Sequence, residues 1–169
     1  ECKAAEPVHF LSGKAGTRNH DIILNVDFAS LLADYAGVDA PDKSQGRSFR
    51  DNLKGQAPAD WRQTMYYRYW THHGIRPAHM GIRNHRYKLM FLYADRLNAT
   101  GSEKTPGTPS WEFYDLLADP KEDHNLYGAP GYEEVIDEMK REMIRQRRAL
   151  GDTDSETPRM KEIMDKYYW

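Results

Sequence analysis

Residues 61–94 read WRQTMYYRYWTHHGIRPAHMGIRNHRYKLMFLYA. The window holds six Lys/Arg and four of the seven histidines, and no Asp or Glu. The whole chain carries 24 bases against 26 acids, so this acid-free stretch is a strong local bias. Its pattern is that of strands. Met65–Trp70 is aromatic-rich with polar alternation, and so are Met80–Arg83 and Tyr87–Phe91. Two turns separate the three runs, His73-Gly74 with Pro77 and Asn84-His85. A small antiparallel sheet would gather guanidinium and imidazole groups on one side. Fixed cations of this kind suit a sulfate, phosphate or carboxylate. The alternative is a solvated face whose bases pair with acids elsewhere, with Arg83 and Lys88 meeting Glu112 or Asp115 across the sheet.

Composition narrows the function classes. A chain of 169 residues builds one core, or one and a piece of another. A net charge of -2 and a pI near 6.4 argue against a general nucleic-acid binder. No apolar run approaches the length of a transmembrane helix. The chain starts Glu-Cys-Lys without Met or a signal-peptide pattern, which is expected of a fragment or a processed product. Its one cysteine, Cys2, has no internal disulfide partner and no visible activating neighbour, so no nucleophilic role is assigned to it.

Around the basic window the chain alternates short elements and loops. Pro7–Leu11 is a candidate short strand, and Asp21–Leu24 a second short apolar run. Asp27 is expected to cap a helix bearing Phe28, Leu31, Leu32 and Tyr35 on one face, with Gly37 ending it. Ser48 is expected to cap a short helix through Leu53. Residues 94–110 carry turn formers without periodicity and read as an exposed loop; its Asn98-Ala99-Thr100 triplet matches the glycosylation pattern. Trp111–Leu116 resumes strand character, and Glu122–Leu126 reads as one helical turn. The longest helix is predicted over Tyr132–Leu150, with Tyr132, Val135, Ile136, Met139, Met143 and Leu150 along one face. Its acids crowd the first half and its bases the second, which complements the helix dipole. A last short helix is predicted from Pro158 toward Tyr167, with the aromatic end Tyr167-Tyr168-Trp169 docked.

Four stretches, in order, carry a family resemblance: Asn25–Leu32 with Ala36-Gly37-Val38; Gln45-Gly46-Arg47-Ser48-Phe49; Gly81-Ile82-Arg83 with Arg86–Leu89; and Trp111–Leu116 with Asp119-Pro120 and Asn125-Leu126. Together they cover roughly residues 17–169 and resemble the C-terminal part of type I sulfatases, the formylglycine-dependent enzymes of the alkaline phosphatase superfamily. The run Tyr66–Trp70, the histidines after it and the Tyr168-Trp169 end resemble the branch acting on sulfated sugars, including N-acetylglucosamine-6-sulfatases.

The resemblance implies an α+β fold, a four-stranded antiparallel sheet packed on a long C-terminal helix and preceded by two helices left from an α/β catalytic domain. Residues 1–57 would be the tail of that domain and 58–169 the C-terminal subdomain. It implies hydrolysis of sulfuric esters of sugars by the whole enzyme, in the periplasm or secreted. The family's Cys/Ser-x-Pro/Ala-x-Arg motif is absent, since Cys2 is followed by Lys3-Ala4-Ala5-Glu6. Calcium and formylglycine are expected in an N-terminal domain missing from this sequence, so the chain alone is expected to be inactive, with no catalytic or metal residue of its own. Its expected partners are that domain and a sulfated carbohydrate, with no nucleic acid and no membrane span. By analogy the loop Thr71–His79 lies toward the substrate pocket. Trp70 would stack on a sugar, His72, His73 and His79 would hydrogen-bond hydroxyls or sulfate, and Arg76 and Arg83 would meet an anionic group. A zinc site from His72, His73 and His79 is a weaker alternative, because adjacent histidines on an extended chain point to opposite sides. Two other readings stay open: a stand-alone anion- or glycan-binding module, and a structural piece exposing a former interdomain face.

Overall fold

The computed structural model describes residues 16–154 and 157–169. The strand expected over Pro7–Leu11 and Cys2 lie outside the described residues. The chain divides into two compact units, with the boundary between Gln63 and Thr64.

The first unit is built on α1 (Asp27–Ala36), which ends at Gly37 in the left-handed conformation, φ 68°. A second, four-residue helix α2 spans Arg50–Leu53. Asp27 is not the N-cap. It is the first helical residue, fully buried, and its carboxylate serves three other groups. Oδ2 accepts from Leu24 N at 2.7 Å and Oδ1 from Arg47 N at 2.9 Å, while the Arg62 guanidinium grips both oxygens. An acid anchored by a buried arginine gains more than one facing the helix end. Burial alone would push the Asp27 carboxyl up, but Arg62 and the two backbone amides outweigh it and hold it below the usual range. Ser48 likewise donates to Asp34 and leaves the cap position to Phe49. Gly46 is dictated by packing, since a Cβ there would lie 2.0 Å from the Val26 carbonyl oxygen. Leu31, Phe49 and Trp61 form the unit's small core with Ile23 and Tyr35, which draws Trp61 and Arg62 into it. Phe28 and Leu32, on the expected apolar face of α1, are exposed.

The second unit is an antiparallel sheet in the order β1 (Met65–Tyr69), β2 (His79–Arg83), β3 (Tyr87–Leu92), β4 (Ser110–Asp115). The register pairs Tyr66 with Ile82, Arg68 with Met80, Leu89 with Phe113 and Phe91 with Trp111, so these side chains share one face. That face packs on α3 (Glu133–Ala149) and α4 (Pro158–Tyr167) through Ile136, Met139, Met143, Met160 and Ile163. Tyr67 and His79 lie on the opposite face, where Gly81 leaves room for the Tyr67 ring: an added Cβ would stand 2.5 Å from it. The outer edge of β4 is closed by the Asn125 side chain together with the Leu126 backbone, whose N donates to Phe113 O at 2.8 Å. Asn125 Oδ1 accepts from Phe113 N at 3.0 Å and Asn125 Nδ2 donates to Trp111 O at 3.1 Å, which continues the ladder where, among the described residues, no fifth strand pairs.

Several local expectations change. Residues 122–126 form no helical turn; Glu122 takes φ 61° and pairs with Lys88. Asp115 pairs with Arg86 rather than with Arg83 or Lys88, through Arg86 Nη2 at 2.8 Å. On α3, Leu150 is exposed, while Lys140 and Arg147 are buried. Lys140 Nζ donates to Tyr127 Oη at 2.9 Å and lies over the rings of Trp111 and Tyr168. Arg147 Nη2 meets Asp154 at 2.6 Å, and Asp152 beside it serves Arg68 and Tyr66. Of the aromatic end, Tyr168 docks, with its hydroxyl donating to Lys140 O at 2.7 Å, whereas Trp169 stays exposed.

Candidate substrate-contact site

The connection from β1 to β2 folds into a tight tip. His73 N donates to Arg76 O at 3.1 Å and Arg76 N to His73 O at 3.0 Å, which leaves Gly74 and Ile75 at the apex. The tip is stitched to the loop between β3 and β4. His72 N donates to Ser102 Oγ at 2.9 Å, Glu103 N to His72 O at 2.8 Å, and Gly74 N to Glu103 Oε2 at 3.1 Å.

His72 is the fixed point of this stitching. It is 2% exposed. Ala78 N donates to its Nδ1 at 3.4 Å, so Nε2 carries the hydrogen and donates to Thr105 O at 3.1 Å. Both ring nitrogens are thus committed to backbone. His73 instead faces outward, with Nδ1 3.7 Å from the Glu103 carboxylate. Arg76 is exposed and reaches the Tyr69 hydroxyl at 3.4 Å. His79, the first residue of β2, stacks on the Tyr69 ring with centroids 5.4 Å apart, and its Nδ1 sits 2.8 Å from Pro77 O. His73, Arg76, Tyr69 and Glu103, with Ile75, line an open pocket of about 360 Å³.

Two expected residues lie apart from this pocket. Trp70 follows Tyr69 directly, so it projects to the other side of the strand direction. Trp70 is 51% exposed. The Arg68 guanidinium sits 3.7 Å from the ring centre and covers one face, itself gripped by Asp152. Arg83 ends β2, opposite Met65 and Lys88, four residues and so about 13 Å from His79 along the strand. The pocket therefore gathers His73 and Arg76, borders His79, rests on His72, and excludes Trp70 and Arg83.

Glu103 went unforeseen. Its loop has no periodicity, and nothing local marks it. The available signal was the acid-free window itself, since a histidine-rich turn with no acid of its own must draw one from outside. Among the described residues, no group of three or more His, Cys, Asp or Glu side chains could hold a metal ion, and His72 in particular has no free nitrogen.

Residues 8–149 match the family described as N-sulphoglucosamine sulphohydrolase, C-terminal. The chain is 34% identical over 146 residues to an N-acetylglucosamine-6-O-sulfatase of Bacteroides thetaiotaomicron, covering 83% of this chain and 24% of that protein. It superposes with a TM-score of 0.69, at 32% identity, on a protein solved with its substrate D-glucosamine-2-N,6-O-disulfate, over 84% of this chain and 27% of that one. A phosphonate monoester hydrolase from Silicibacter pomeroyi shares the fold, with a TM-score of 0.54 at 22% identity over 73% of this chain and 24% of that one. The chain thus spans about a quarter of the length of these proteins.

Proposed function

Because this chain belongs to the N-sulphoglucosamine sulphohydrolase C-terminal family, we propose that it is the C-terminal portion of a sulfatase acting on sulfated sugars, contributing substrate contacts and closure of the fold. Hydrolysis of a sulfate ester by water gives the sugar alcohol and sulfate. The first unit, through Gln63, is then the end of the catalytic domain and the second, from Thr64, the subdomain; the boundary lies after the expected residue 57 because Trp61 and Arg62 pack in the first unit. The observation that carries the reading is the built pocket at the β1–β2 tip: one guanidinium, one outward imidazole and one carboxylate on a turn held rigidly from below. Arg76 supplies the fork that matches a sulfate. His73 and His79 supply ring nitrogens for hydroxyls or sulfate oxygens. His72 acts through the turn it holds. Trp70, backed by Arg68, offers a ring face to a sugar further along the ligand. Arg83 takes a more distant anionic group.

Calcium and a formylglycine nucleophile, which would polarise the ester and attack sulfur, are assigned to sequence beyond this chain. The donor set among the described residues does not fit a metal. Among the described residues no helix is long and apolar enough to cross a membrane; a periplasmic or secreted setting is part of the proposal.

The test is sulfate release from glucosamine-6-sulfate. The protein encoded by the whole reading frame around this sequence is expected to release sulfate, and the 169-residue chain to release none. An upstream frame without a Cys/Ser-x-Pro/Ala-x-Arg motif, or a whole protein without activity on any sulfated sugar, overturns the reading.

A further inference from the structure

Away from the β1–β2 tip, α3 presents a second cationic surface. Arg141, Ile144, Arg145 and Arg148 fall at helical spacing on one flank, and with Trp169 they line an open groove of about 390 Å³. Trp169 is 72% exposed, yet it is not loose: its ring meets the Tyr168 ring edge-on with centroids 5.3 Å apart, and Lys140 Nζ lies 5.8 Å from its centre. Tyr168 in turn is pinned to Lys140 O.

Helix-dipole compensation explains why bases gather at this end of α3. It does not explain three guanidinium groups on one flank beside an exposed indole with an aliphatic floor. Their acids leave them accessible. Arg141 meets Asp137 only at 3.8 Å, in an exposed pair. Arg145 holds Glu142 but remains largely exposed. Arg148 makes no ion pair among the described residues. The Arg141–Asp137 pair is weak and exchanges readily for a better anion, whereas Arg145 stays with Glu142 and offers its exposed side.

We propose that this groove is a second carbohydrate-binding site, taking an anionic, sulfated oligosaccharide with the Trp169 ring against a sugar face and Arg148, Arg141 and Arg145 on its sulfates. Guanidinium forks bind sulfate oxygens in pairs, and an indole face suits the C–H face of a pyranose. An acidic peptide would satisfy the arginines but make no use of the ring. The site shares no residue with the tip pocket and does not depend on catalysis.

The experiment is calorimetric titration of the 169-residue chain, in a His73→Ala/Arg76→Ala background that disables the tip, with a heparin-derived octasaccharide. One-to-one binding is expected, weakened about tenfold by Arg148→Ala, the loss of one charge-assisted contact. Trp169→Ala is expected to weaken it similarly and Trp169→Phe to restore it; unchanged circular dichroism shows the variants folded. The desulfated octasaccharide and a poly-glutamate of equal charge are expected to bind at least about tenfold more weakly. No binding in the background chain, equal affinity for either comparator, or full affinity in both Arg148→Ala and Trp169→Ala overturns the proposal. A failure of sulfate release by the whole protein would leave this result standing.

Discussion

The Tyr168 hydroxyl donates to the Lys140 carbonyl at 2.7 Å, and the Lys140 ammonium lies 4.5 Å from the centre of the Trp111 ring. One lysine thus joins α3, β4 and the C-terminal aromatic pair. Trp111 and Tyr127 stack within 7° of parallel beside it, and Tyr127 takes its hydrogen bond. A cation buried among rings with one oxygen acceptor is a stable arrangement, because each group removed from water finds a partner. Lys140→Met keeps much of the volume and loses the charge. It is expected to destabilise the chain by about 1–3 kcal/mol, and Tyr168→Phe by about 1 kcal/mol. Urea unfolding followed by circular dichroism checks both; no change in either midpoint would show that the cage contributes nothing.

The Asp27–Arg62 pair is expected to be the costliest ionic contact to break. Asp27→Asn leaves Arg62 without its counter-charge and loosens the loops held through Leu24 N and Arg47 N. A loss of about 3 kcal/mol or more follows from removing one partner of a buried pair. Thermal unfolding within about 1 kcal/mol of the parent would show that the pair is open to water.

Two glycines separate hard from soft packing. Gly46→Ala drives a Cβ onto backbone, 2.0 Å from Val26 O, and is expected to cost about 3 kcal/mol or more. Gly81→Ala meets a side chain instead, the Tyr67 ring at 2.5 Å. It is expected to cost about 1–3 kcal/mol, and less than that in a Tyr67→Ala background. Additive losses in that double-mutant cycle would contradict the contact.

Glu142 makes stability depend on acid. Hydrogen bonds from Arg145, then from Gln146 and Thr64, outweigh burial and lower its carboxyl to about 2, against an ordinary 4.5. A depressed folded pKa means that this contribution is complete above pH 4.5 and is lost as the pH falls toward 2. Glu142→Gln is therefore expected to flatten the fall of Tm across that window while lowering Tm at pH 7. Parallel curves for the two proteins would contradict the assignment.

The sheet was legible because its signals are local. Met65–Tyr69 and Tyr87–Leu92 are aromatic and aliphatic runs separated by turn residues, and each became a strand within a residue or two of its expected bounds. The resemblance motifs have physical roles of the same kind: Asp27 binds Arg47 N, Ser30 donates to Gly46 O, and Asn125 closes the edge of β4. The misread residues depend on partners in other elements or loops, which no helical or strand periodicity marks. Lys140 and Arg147 look like solvated helix bases until Tyr168 and Asp154 fold over them. His72 looks like a ligand until Thr105 and Ala78 take its nitrogens. Glu103 and Ser102 lie in an aperiodic loop, so their hold on the turn shows only in three dimensions.

The turn between β1 and β2 is proposed to bind the sugar, and kinetics of the whole protein test this most directly. His73→Ala/Arg76→Ala is expected to raise KM for a sulfated glucosamine at least about tenfold, with kcat held within about threefold, as loss of binding common to ground and transition state requires. An unchanged KM in that variant, with the fold intact by circular dichroism, would remove the turn from the substrate site.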